Sequence, residues 1–349
     1  MSRDYLIIEQ FLIDALQARA LQAAFDLQII DALADIDEMS VDGLLRGRNC
    51  DFSGGQFLLQ MLAQNDVVAT AAAGGQRFRD GDSVRLTDVF RRALPFRDLL
   101  TTKLEFSTLV AADYFANLPN LLRSEDEFTA SSKLFELFDY GRCLDITTAN
   151  CMHAARWMQL TTMLTRYEAR VCAESYDFAR HSQMLDVGGN SGEFSLQICR
   201  RHANLTAQVV DLPVVCHVGA RHIGGTCEVD RISFSPGNML EDTFPQGCDL
   251  ITWKSVLHDW PDDVLPILLQ KSYAALPPGG RLVIFERQRW DFSHEVTPYG
   301  LLPVMLFFRS YRSPEHYVQV LADCGFVDVH VEKLQLEVPF LLITAAKAG

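Results

Sequence analysis

Two short segments of the sequence carry the residue types of a cofactor-binding site. Residues 184–187 predict an apolar strand that runs directly into a glycine-rich turn starting at Gly188, and a second predicted strand, 208–210, ends in Asp211. Glycine lets a backbone approach a ligand closely because it has no Cβ. The acid lies where it can accept hydrogen bonds from two ribose hydroxyls. Together these elements predict a site for a nucleoside-containing cofactor.

The glycine spacing separates two cofactor classes. A dinucleotide site requires G-x-G-x-x-G with a helix amino terminus aimed at a pyrophosphate, whereas residues 188–192 read G-G-N-S-G. The pattern D-V-G-G-x-x-G, followed by D-L-P at 211–213, resembles S-adenosylmethionine-dependent methyltransferases, whose cofactor has no phosphate to hold. A glycine-rich turn that serves packing alone is the alternative.

A histidine follows another predicted strand. His258 lies in the segment K-S-V-L-H-D-W-P-D-D (254–263), directly after the strand predicted at 249–253. An imidazole changes its charge near neutral pH, so a histidine at the carboxyl edge of a sheet is suited to proton transfer. A lone histidine also fits a purely structural role, and its position alone leaves both readings open.

Composition excludes several classes of protein. The 349 residues, 48% hydrophobic and 22% charged, are ordinary for a globular chain of two domains, and the net charge of −14 would repel nucleic acid. Nine cysteines form no C-x-x-C pair and no zinc-like cluster, so we expect free thiols, no metal and a reducing compartment. Acidic residues interrupt the apolar pattern near the amino terminus. We therefore expect no signal peptide, no membrane span and a cytoplasmic protein.

Residues 1–100 have the outline of a winged helix. Helices are predicted within 5–34, at 40–45 and at 56–65, with a Gly-Gly turn before the last, and strands at 67–70 and 84–87 flank the glycines at 74 and 75. A DNA reader should have a basic face, but these residues hold 10 Lys and Arg against 15 Asp and Glu. We expect a dimerisation domain here instead.

Residues 101–180 are helical and rich in aromatic and methionine side chains, which predicts a linker and substrate-covering region. Most of these side chains should form helix core, while some should face the cofactor cleft, because they suit a flat apolar substrate. Spacing does not identify which do so. They are Phe106, Tyr114, Phe115, Phe128, Phe135, Phe138, Tyr140, Met152, Trp157, Met158, Met163 and Tyr167.

Residues 181–349 alternate strands and helices, which predicts an α/β, Rossmann-like, doubly wound sheet with two late strands at one edge. Ligands bind beyond the carboxyl ends of such strands, and this rule places Gly188, Asp211, Asn238, the segment 254–260 and Glu286 around one cleft. Strands are predicted at 183–187, 206–210, 231–235, 249–253, 281–286, 327–333 and 340–346, and helices near 192–202, 214–222, 261–276 and 314–324.

Further motifs make the resemblance specific. L-H-D-W-P-D-D (257–263) and A-L-P-P-G-G-R-L-V-I-F-E (275–286), in order after the two motifs above, resemble the caffeic acid O-methyltransferase-type family of plants and bacteria over essentially the whole chain. The resemblance implies that His258 is the general base and that Glu286 orients it. It also implies S-adenosylmethionine as cofactor, S-adenosylhomocysteine as product and no metal.

The same resemblance assigns the cofactor contacts. Gly188 should approach the amino acid portion of the cofactor, and Asp211 with its neighbour Leu212 should bind the ribose. Asn238 and Met239 match the pair that brackets the adenine. Lys254 matches another cofactor contact and Trp260 should stack nearby, although simple packing is the alternative for Met239 and Trp260.

Three positions depart from the family pattern. Asn190 replaces a glycine, Asn238 replaces an aspartate, and Tyr311 stands where plant members often have a second acid beside the histidine. The pattern therefore provides Glu286 as one carboxylate partner for the base. Asp259 is the candidate substitute for the second, and its direction is left open by the sequence.

The leading hypothesis is methyl transfer to a hydroxyl of an aromatic or heteroaromatic small molecule in specialised metabolism. A phenol has a pKa of about 10, so removal of its proton by His258 would make it a better nucleophile. The alternatives are C- or N-methylation, a non-methylating relative that binds S-adenosylmethionine, and a winged-helix regulator. The acidic amino-terminal region argues against the regulator. We expect a homodimer through the N-terminal helices, whose apolar pattern would otherwise be exposed, and neither nucleic acid nor membrane as partner.

Overall fold

The structure is a computed structural model that describes residues 2–70, 78–79, 81–289 and 297–349. The chain divides into two compact units. The N-terminal unit comprises Asp4–Ser131 and Ser293–Met305, and the C-terminal unit comprises Met1–Arg3, Ser132–Phe292 and Leu306–Gly349. The division after Ser131 falls inside the region 101–180, so this region contributes to both units.

The N-terminal unit consists of helices and one small sheet. The strands β1, β2 and β3 are antiparallel in the order β1-β3-β2, and β2 and β3 lie at the strands predicted at 67–70 and 84–87. The predicted Gly74-Gly75 turn lies outside the described residues. In chain order the elements are a 3-10 helix (Asp4–Leu12), α1 (Ala15–Asp26), α2 (Ile29–Asp35), β1 (Met39–Ser40), α3 (Val41–Arg46), α4 (Phe52–Gln64), β2 (Val68–Thr70), β3 (Ser83–Leu86), α5 (Asp88–Ala93), a 3-10 turn (Leu94–Phe96), α6 (Arg97–Arg123) and α7 (Glu125–Ser131).

The glycines at 54 and 55 do not form the turn that the sequence suggested. α4 begins before them, because Asp51 caps it by accepting a hydrogen bond from Gly54 N at 2.9 Å. Gly55 lies in the first turn, where a Cβ would come within 2.3 Å of Leu45 Cδ2. The glycine therefore allows α3 and α4 to pack closely.

The C-terminal unit is the α/β part of the chain. Its elements are α8 (Leu134–Leu137), a 3-10 helix (Tyr140–Cys143), α9 (Thr148–Ser175), a 3-10 turn (Phe178–Arg180), β4 (Gln183–Val187), α10 (Glu193–Arg201), β5 (Thr206–Asp211), α11 (Pro213–Ile223), a 3-10 turn (Val229–Arg231), β6 (Ile232–Pro236), β7 (Leu250–Lys254), a 3-10 turn (Leu257–Asp259), α12 (Leu265–Ala275) and β8 (Arg281–Arg287). A 3-10 turn (Tyr299–Leu301) and α13 (Leu302–Met305) then belong to the N-terminal unit, and α14 (Pro314–Asp323), β9 (Phe326–Gln335) and β10 (Pro339–Lys347) complete the C-terminal unit.

Seven strands form one sheet in the order β6-β5-β4-β7-β8-β10-β9. The first five are parallel, while β10 is antiparallel to β8 and to β9. This topology confirms the Rossmann-like sheet with two late strands at one edge. The helix predicted at 261–276 begins only at Leu265.

The strand order reverses between β4 and β7, and a ligand cleft forms at such a point beyond the carboxyl ends of the strands. Alternate residues of β7, β8 and β10 pack against α12 and α14 in one apolar cluster that includes Trp253, Ile284 and Tyr317. That packing holds the carboxyl ends of β7 and β8 in place.

Three further observations concern membrane-spanning helices, metal ligands and cysteines. No described helix is long and apolar enough to cross a membrane. Among the described residues, no group of three or more His, Cys, Asp or Glu side chains could hold a metal ion. The nine cysteines are free thiols, and most of them are buried.

Candidate active site

The glycine-rich turn after β4 has a backbone that only certain residues adopt. Gly188 has φ of +66°, and a Cβ there would lie 2.9 Å from both methyl groups of Val256 and 3.3 Å from Met239 Cε. Its N–H donates to Val210 O at 2.8 Å, which ties the turn to β5. Asn190 has φ of +55°, a left-handed value that asparagine tolerates better than most residues. The departure from glycine at 190 is therefore accommodated.

Asp211 is held at the end of β5 by backbone donors. Its Oδ2 accepts from Asn190 N at 2.9 Å and its Oδ1 from Leu212 N at 2.8 Å. Burial raises the pKa of this carboxyl to about 6, although the two N–H groups oppose the shift. Each carboxylate oxygen keeps a free lone pair, so the group can accept further hydrogen bonds from a ligand.

A second acid, Asp186, stabilises the glycine-rich turn. It accepts hydrogen bonds from Ser195 Oγ at 2.8 Å and from Thr252 Oγ1 at 3.1 Å, and burial raises its pKa to about 6. A Cβ on Gly189 would lie 2.7 Å from its Oδ2. Asp186 joins β4 to α10 and β7. The sequence did not indicate this role of Asp186, because the residue is part of an apolar strand.

Asn238 and Met239 follow β6. The Asn238 side chain accepts from Leu240 N at 3.0 Å, and its backbone N–H donates to Asp242 Oδ2 at 2.8 Å, so this residue organises its own turn. Met239 reaches the Gly188 turn with its terminal methyl group. Trp260 packs on the same apolar cluster as Met239, and its buried Nε1 has no hydrogen-bond partner among the described residues.

Lys254 was predicted as a cofactor contact, but its ammonium group is bound by side chains of α9. Its Nζ contacts Glu168 Oε2 at 2.5 Å and Thr165 Oγ1 at 3.0 Å, both on α9. Glu168 also pairs with Arg287, which in turn contacts Glu337 Oε1 at 3.1 Å. These side chains form a buried cluster of alternating charges between α9 and the ends of β7 and β8.

His258 and Glu286 form a direct pair. His258 Nδ1 lies 2.9 Å from Glu286 Oε2, and Glu286 Oε1 accepts from Arg287 N at 2.9 Å. His258 is 8% exposed and Glu286 is fully buried. They meet because β7 and β8 are adjacent and parallel, with Lys254 opposite Phe285.

The charges around the pair shift its titration. Burial lowers the pKa of His258, but the carboxylates of Glu286 and Asp259 outweigh that effect and raise it above 6.5. Burial raises the pKa of Glu286, and the charge and hydrogen bond of His258 more than offset this, so its pKa is lowered. Glu286 is thus an ionised partner for an imidazole that can carry a proton.

Asp259 lies on the other side of the imidazole, which settles the direction that the sequence left open. Its Oδ1 is 3.4 Å from His258 Nε2, and its side chain is 25% exposed. Burial raises the pKa of Asp259, while His258 moderates the shift. The histidine therefore has a carboxylate near each ring nitrogen.

Two aromatic rings flank His258. Phe307 lies edge-on with a centroid distance of 5.1 Å, and Tyr311 lies at 5.1 Å with its plane tilted by 46°. Tyr311, 2% exposed, is the residue that replaces the second acid of plant members. Its ring fixes the imidazole by packing, whereas an acid would act through charge.

Sequence reasoning missed Arg312, which holds the loop that carries His258. The buried guanidinium donates to Leu257 O at 2.7 Å, to Trp260 O at 2.5 Å and to Asp262 Oδ1 at 2.7 Å. The signal available in the sequence was an arginine directly after Tyr311, but only the fold places it under the loop.

Tyr140 was one of several aromatic candidates, and the structure places it at this site. Its ring lies edge-on to Trp157 with a centroid distance of 5.7 Å. Burial and the nearby charges of Asp259 and Asp211 raise its pKa well above 10.0. Tyr140 is thus close enough to the acid at the end of β5 and to the loop that carries the histidine to be affected by their charges.

A separate surface cavity of about 380 Å³ lies between the first turns of α9 and the middle of α11. Its walls include Cys151, Met152, His217 and Arg221. Met152, one of the aromatic and methionine candidates, lines this cavity, whereas none of the predicted catalytic or cofactor-contact residues does.

Comparison with known proteins identifies the family. Residues 132–327, more than half of the chain, match the O-methyltransferase domain family, and the chain belongs to this family. Demethylspheroidene O-methyltransferase of Rhodobacter capsulatus is 34% identical over 180 residues, which are 50% of this chain and 44% of that protein. The 3-hydroxy-5-methyl-1-naphthoate 3-O-methyltransferase of Streptomyces sahachiroi is 34% identical over 177 residues, 50% of this chain and 51% of that protein. The matched part of the chain thus spans about half the length of these relatives.

The solved structure of human N-acetylserotonin methyltransferase in complex with SAM has the same fold. It superposes with a TM-score of 0.73 and covers 96% of this chain and 95% of that one, at 21% sequence identity. The likeness extends over both units of the chain and supports the fold assignment made from topology.

Proposed function

We propose that the protein is an S-adenosylmethionine-dependent O-methyltransferase that acts on a hydroxyl of an aromatic or heteroaromatic small molecule, with His258 as general base. The observation that carries the proposal is the buried His258–Glu286 pair, 2.9 Å apart, on the sheet edge that also holds Asp211 and the glycine-rich turn. Family membership supports it. One relative is named for methylating a hydroxynaphthoate, which favours an aromatic acceptor.

The residues present fit this cofactor. Asp211 has lone pairs left for two ribose hydroxyls after it binds its two backbone donors, and Leu212 lies beside it. Asn238, Met239 and Trp260 are the residues proposed for the adenine; Met239 and Trp260 pack on one apolar cluster, and the Trp260 N–H has no partner among the described residues. When bound, S-adenosylmethionine supplies an electrophilic methyl group and leaves as S-adenosylhomocysteine.

The base works through one nitrogen. Glu286 occupies His258 Nδ1, which leaves Nε2 to take the proton of the acceptor hydroxyl as its oxygen becomes the nucleophile. The ionised Glu286 stabilises the resulting imidazolium and fixes the tautomer. Proton removal by a positioned base contributes about 10²–10⁴-fold. Alignment of the two reactants can contribute about 7–11 kcal/mol more.

Lys254 has an indirect place in this scheme. Because Glu168 and Thr165 use its ammonium, we propose that it supports the cofactor side of the cleft by fixing α9 to β7.

The test is methyl transfer from methyl-labelled S-adenosylmethionine to a panel of phenols, catechols, hydroxyindoles and hydroxynaphthoates. Each acceptor is paired with its own methyl ether, which has no hydroxyl to react. Labelled product from the phenol but not from the ether supports O-methylation, and NMR locates the label. Label on carbon or nitrogen would replace O-methylation by the alternative reactions. Absence of cofactor binding by calorimetry would refute the cofactor assignment.

We further propose a cytoplasmic homodimer that pairs through the N-terminal unit. Ile13, Leu16 and Phe57 of that unit expose 47%, 62% and 64% of their surface, which suits a buried interface. In this proposal residues 1–100 serve dimerisation, 101–180 cover the substrate and 181–349 bind the cofactor. Light scattering tests the dimer, and a monomeric mass would refute it.

A further inference from the structure

Lys271 on α12 binds the loop that follows β6, where Asn238 and Met239 lie. Its Nζ donates hydrogen bonds to Met239 O at 2.8 Å, to Leu240 O at 2.7 Å and to Asp242 O at 2.9 Å. An ammonium group has three N–H donors, so these carbonyls use all of them. Lys271 has no donor left for a ligand, and its effect on the site must pass through the loop.

The loop uses its own N–H groups internally and leaves these carbonyls to Lys271. Asn238 Oδ1 accepts from Leu240 N at 3.0 Å, and Asn238 O accepts from Glu241 N at 3.0 Å and from Asp242 N at 2.8 Å. The Asp242 carboxylate closes the turn by accepting from Asn238 N at 2.8 Å. Converging carbonyl groups concentrate partial negative charge, and a cation at that point stabilises them, as at the carboxyl terminus of a helix.

The same loop contacts the cofactor side of the cleft. Its first residue, Gly237, donates its N–H to Asp211 O at 2.9 Å. Met239 Cε lies 3.3 Å from the position that a Cβ on Gly188 would occupy. The bond to Asp211 fixes the start of the loop at the end of β5, and Lys271 fixes the residues that follow.

We infer that Lys271 is a positioning residue for the adenine of the cofactor: its ammonium fixes the loop 238–242 so that Asn238 and Met239 meet the base in one conformation. The inference rests on the proposed function, which assigns these two residues to the adenine. A loop that is already ordered loses less conformational entropy when a ligand binds. Lys271 therefore raises cofactor affinity and leaves the chemical step unchanged.

A surface role does not account for this lysine. Lysine side chains on a helix usually keep the ammonium group in water, whereas that of Lys271 is bound by three carbonyls and lies 5.8 Å from the ring centroid of Phe244. Phe244 is buried against Trp253 of β7, with a centroid distance of 5.9 Å. The packing of α12 and Phe244 on the sheet thus sets where the ammonium meets the loop.

The experiment compares Lys271→Met, Lys271→Arg and Lys347→Met. Calorimetry measures affinity for S-adenosylhomocysteine and for methylthioadenosine, which has the adenine but lacks the amino acid portion. Lys271→Met keeps a long side chain and loses the donors, so both affinities should fall about 10-fold, the size expected for one hydrogen bond to a charged group. Lys271→Arg has five N–H donors and should retain most of the affinity. In methyl transfer, Lys271→Met should raise KM for S-adenosylmethionine and keep kcat at saturation.

Lys347→Met is the matched control. Lys347 Nζ also donates to a backbone carbonyl, Leu276 O at 2.7 Å. Its neighbour Ala346 pairs with Arg281 at the start of β8, so this lysine lies at the edge of the sheet opposite the cleft. Both methionine variants should lower the melting temperature, but cofactor affinity should fall in Lys271→Met alone.

Unchanged affinity in Lys271→Met would refute the inference, and so would an equal loss in both methionine variants or a loss confined to kcat. Weaker binding of S-adenosylhomocysteine without weaker binding of methylthioadenosine would refute the assignment to the adenine. If wild type binds neither compound, the proposed function fails instead. Hydrogen exchange then decides the role of Lys271 separately: the amides of residues 240–242 should exchange faster in Lys271→Met than in wild type, and equal rates refute it.

Discussion

The two halves of the candidate site are built differently. The cofactor half, residues 186–213, is held mainly by backbone groups: Gly188 N bonds Val210 O, and Asn190 and Leu212 donate their N–H groups to Asp211. The base half, residues 254–263 with 286–287, is held by side chains from distant segments. His258 meets Glu286 28 residues later, and Arg312 reaches back 55 residues to Leu257 O.

This difference determines which property of the enzyme a substitution in each half should change. A site made of backbone groups depends on local conformation and on the absence of a Cβ. It therefore tolerates substitution at many positions but few changes of backbone conformation. A site made of side chains depends on single atoms at fixed distances. Substitutions in the base half should therefore act mainly on kcat, and those in the cofactor half mainly on binding.

The largest effect is expected from His258→Ala. Loss of the base should lower kcat about 10²–10⁴-fold and leave cofactor affinity unchanged, since the contacts of Asp211 remain. Methyl transfer and calorimetry on the same sample measure both quantities. His330→Ala, an exposed histidine on β9, is the control. Undiminished kcat would give His258 a structural role and remove the difference between the two halves.

Gly188→Ala should show the opposite pattern. A Cβ there meets Val256 at 2.9 Å in a backbone with φ of +66°, so both overpacking and strain displace the turn. We expect cofactor affinity to fall about 10- to 100-fold, corresponding to roughly 1–3 kcal/mol of overpacking, with a smaller effect on kcat at saturation. Gly279→Ala measures strain alone, because Gly279 has φ of +75° and open space around it and precedes β8, away from the site. The melting temperature should fall further in Gly188→Ala than in Gly279→Ala, and equal decreases would show that strain alone is responsible.

The same division explains what could be predicted from the sequence. The strands, the Gly188 turn and Asp211 were readable because their contacts are local and their residue types are restricted by backbone geometry. The pairing of His258 with Glu286 was implied by the family resemblance, and the structure explains it by the adjacent ends of β7 and β8. Arg312 and Lys271 could not be assigned, since their roles depend on which loop the fold places against them, and Lys254 points to α9 for the same reason.

Acidity should weaken cofactor binding through Asp211. Burial raises the pKa of this carboxyl to about 6, so the ionised form that accepts the ribose hydroxyls is lost as the pH falls through that value. If the ionised form alone binds, affinity at pH 5 should be about 10-fold lower than at pH 8. Calorimetry across this range is the measurement. Asp211→Asn should bind weakly at every pH with a flat profile, and a flat profile in wild type would exclude Asp211 as the titrating ligand.

Arg312→Lys should give the smallest effect on kcat. It tests how far the base half depends on the hydrogen bonds from Arg312 to the loop that carries His258. A lysine cannot replace the planar fork that bonds Leu257 O, Trp260 O and Asp262 together, so at least one buried carbonyl loses its donor at a cost of about 1–3 kcal/mol. We expect a lower melting temperature and a kcat reduced less than in His258→Ala, because Glu286 still holds the imidazole. Arg200→Lys, in a surface pair with Glu228, should change neither. If Arg312→Lys matched that control, the loop would be fixed by Phe307, Tyr311 and its own turn, and the base half would be as locally determined as the cofactor half.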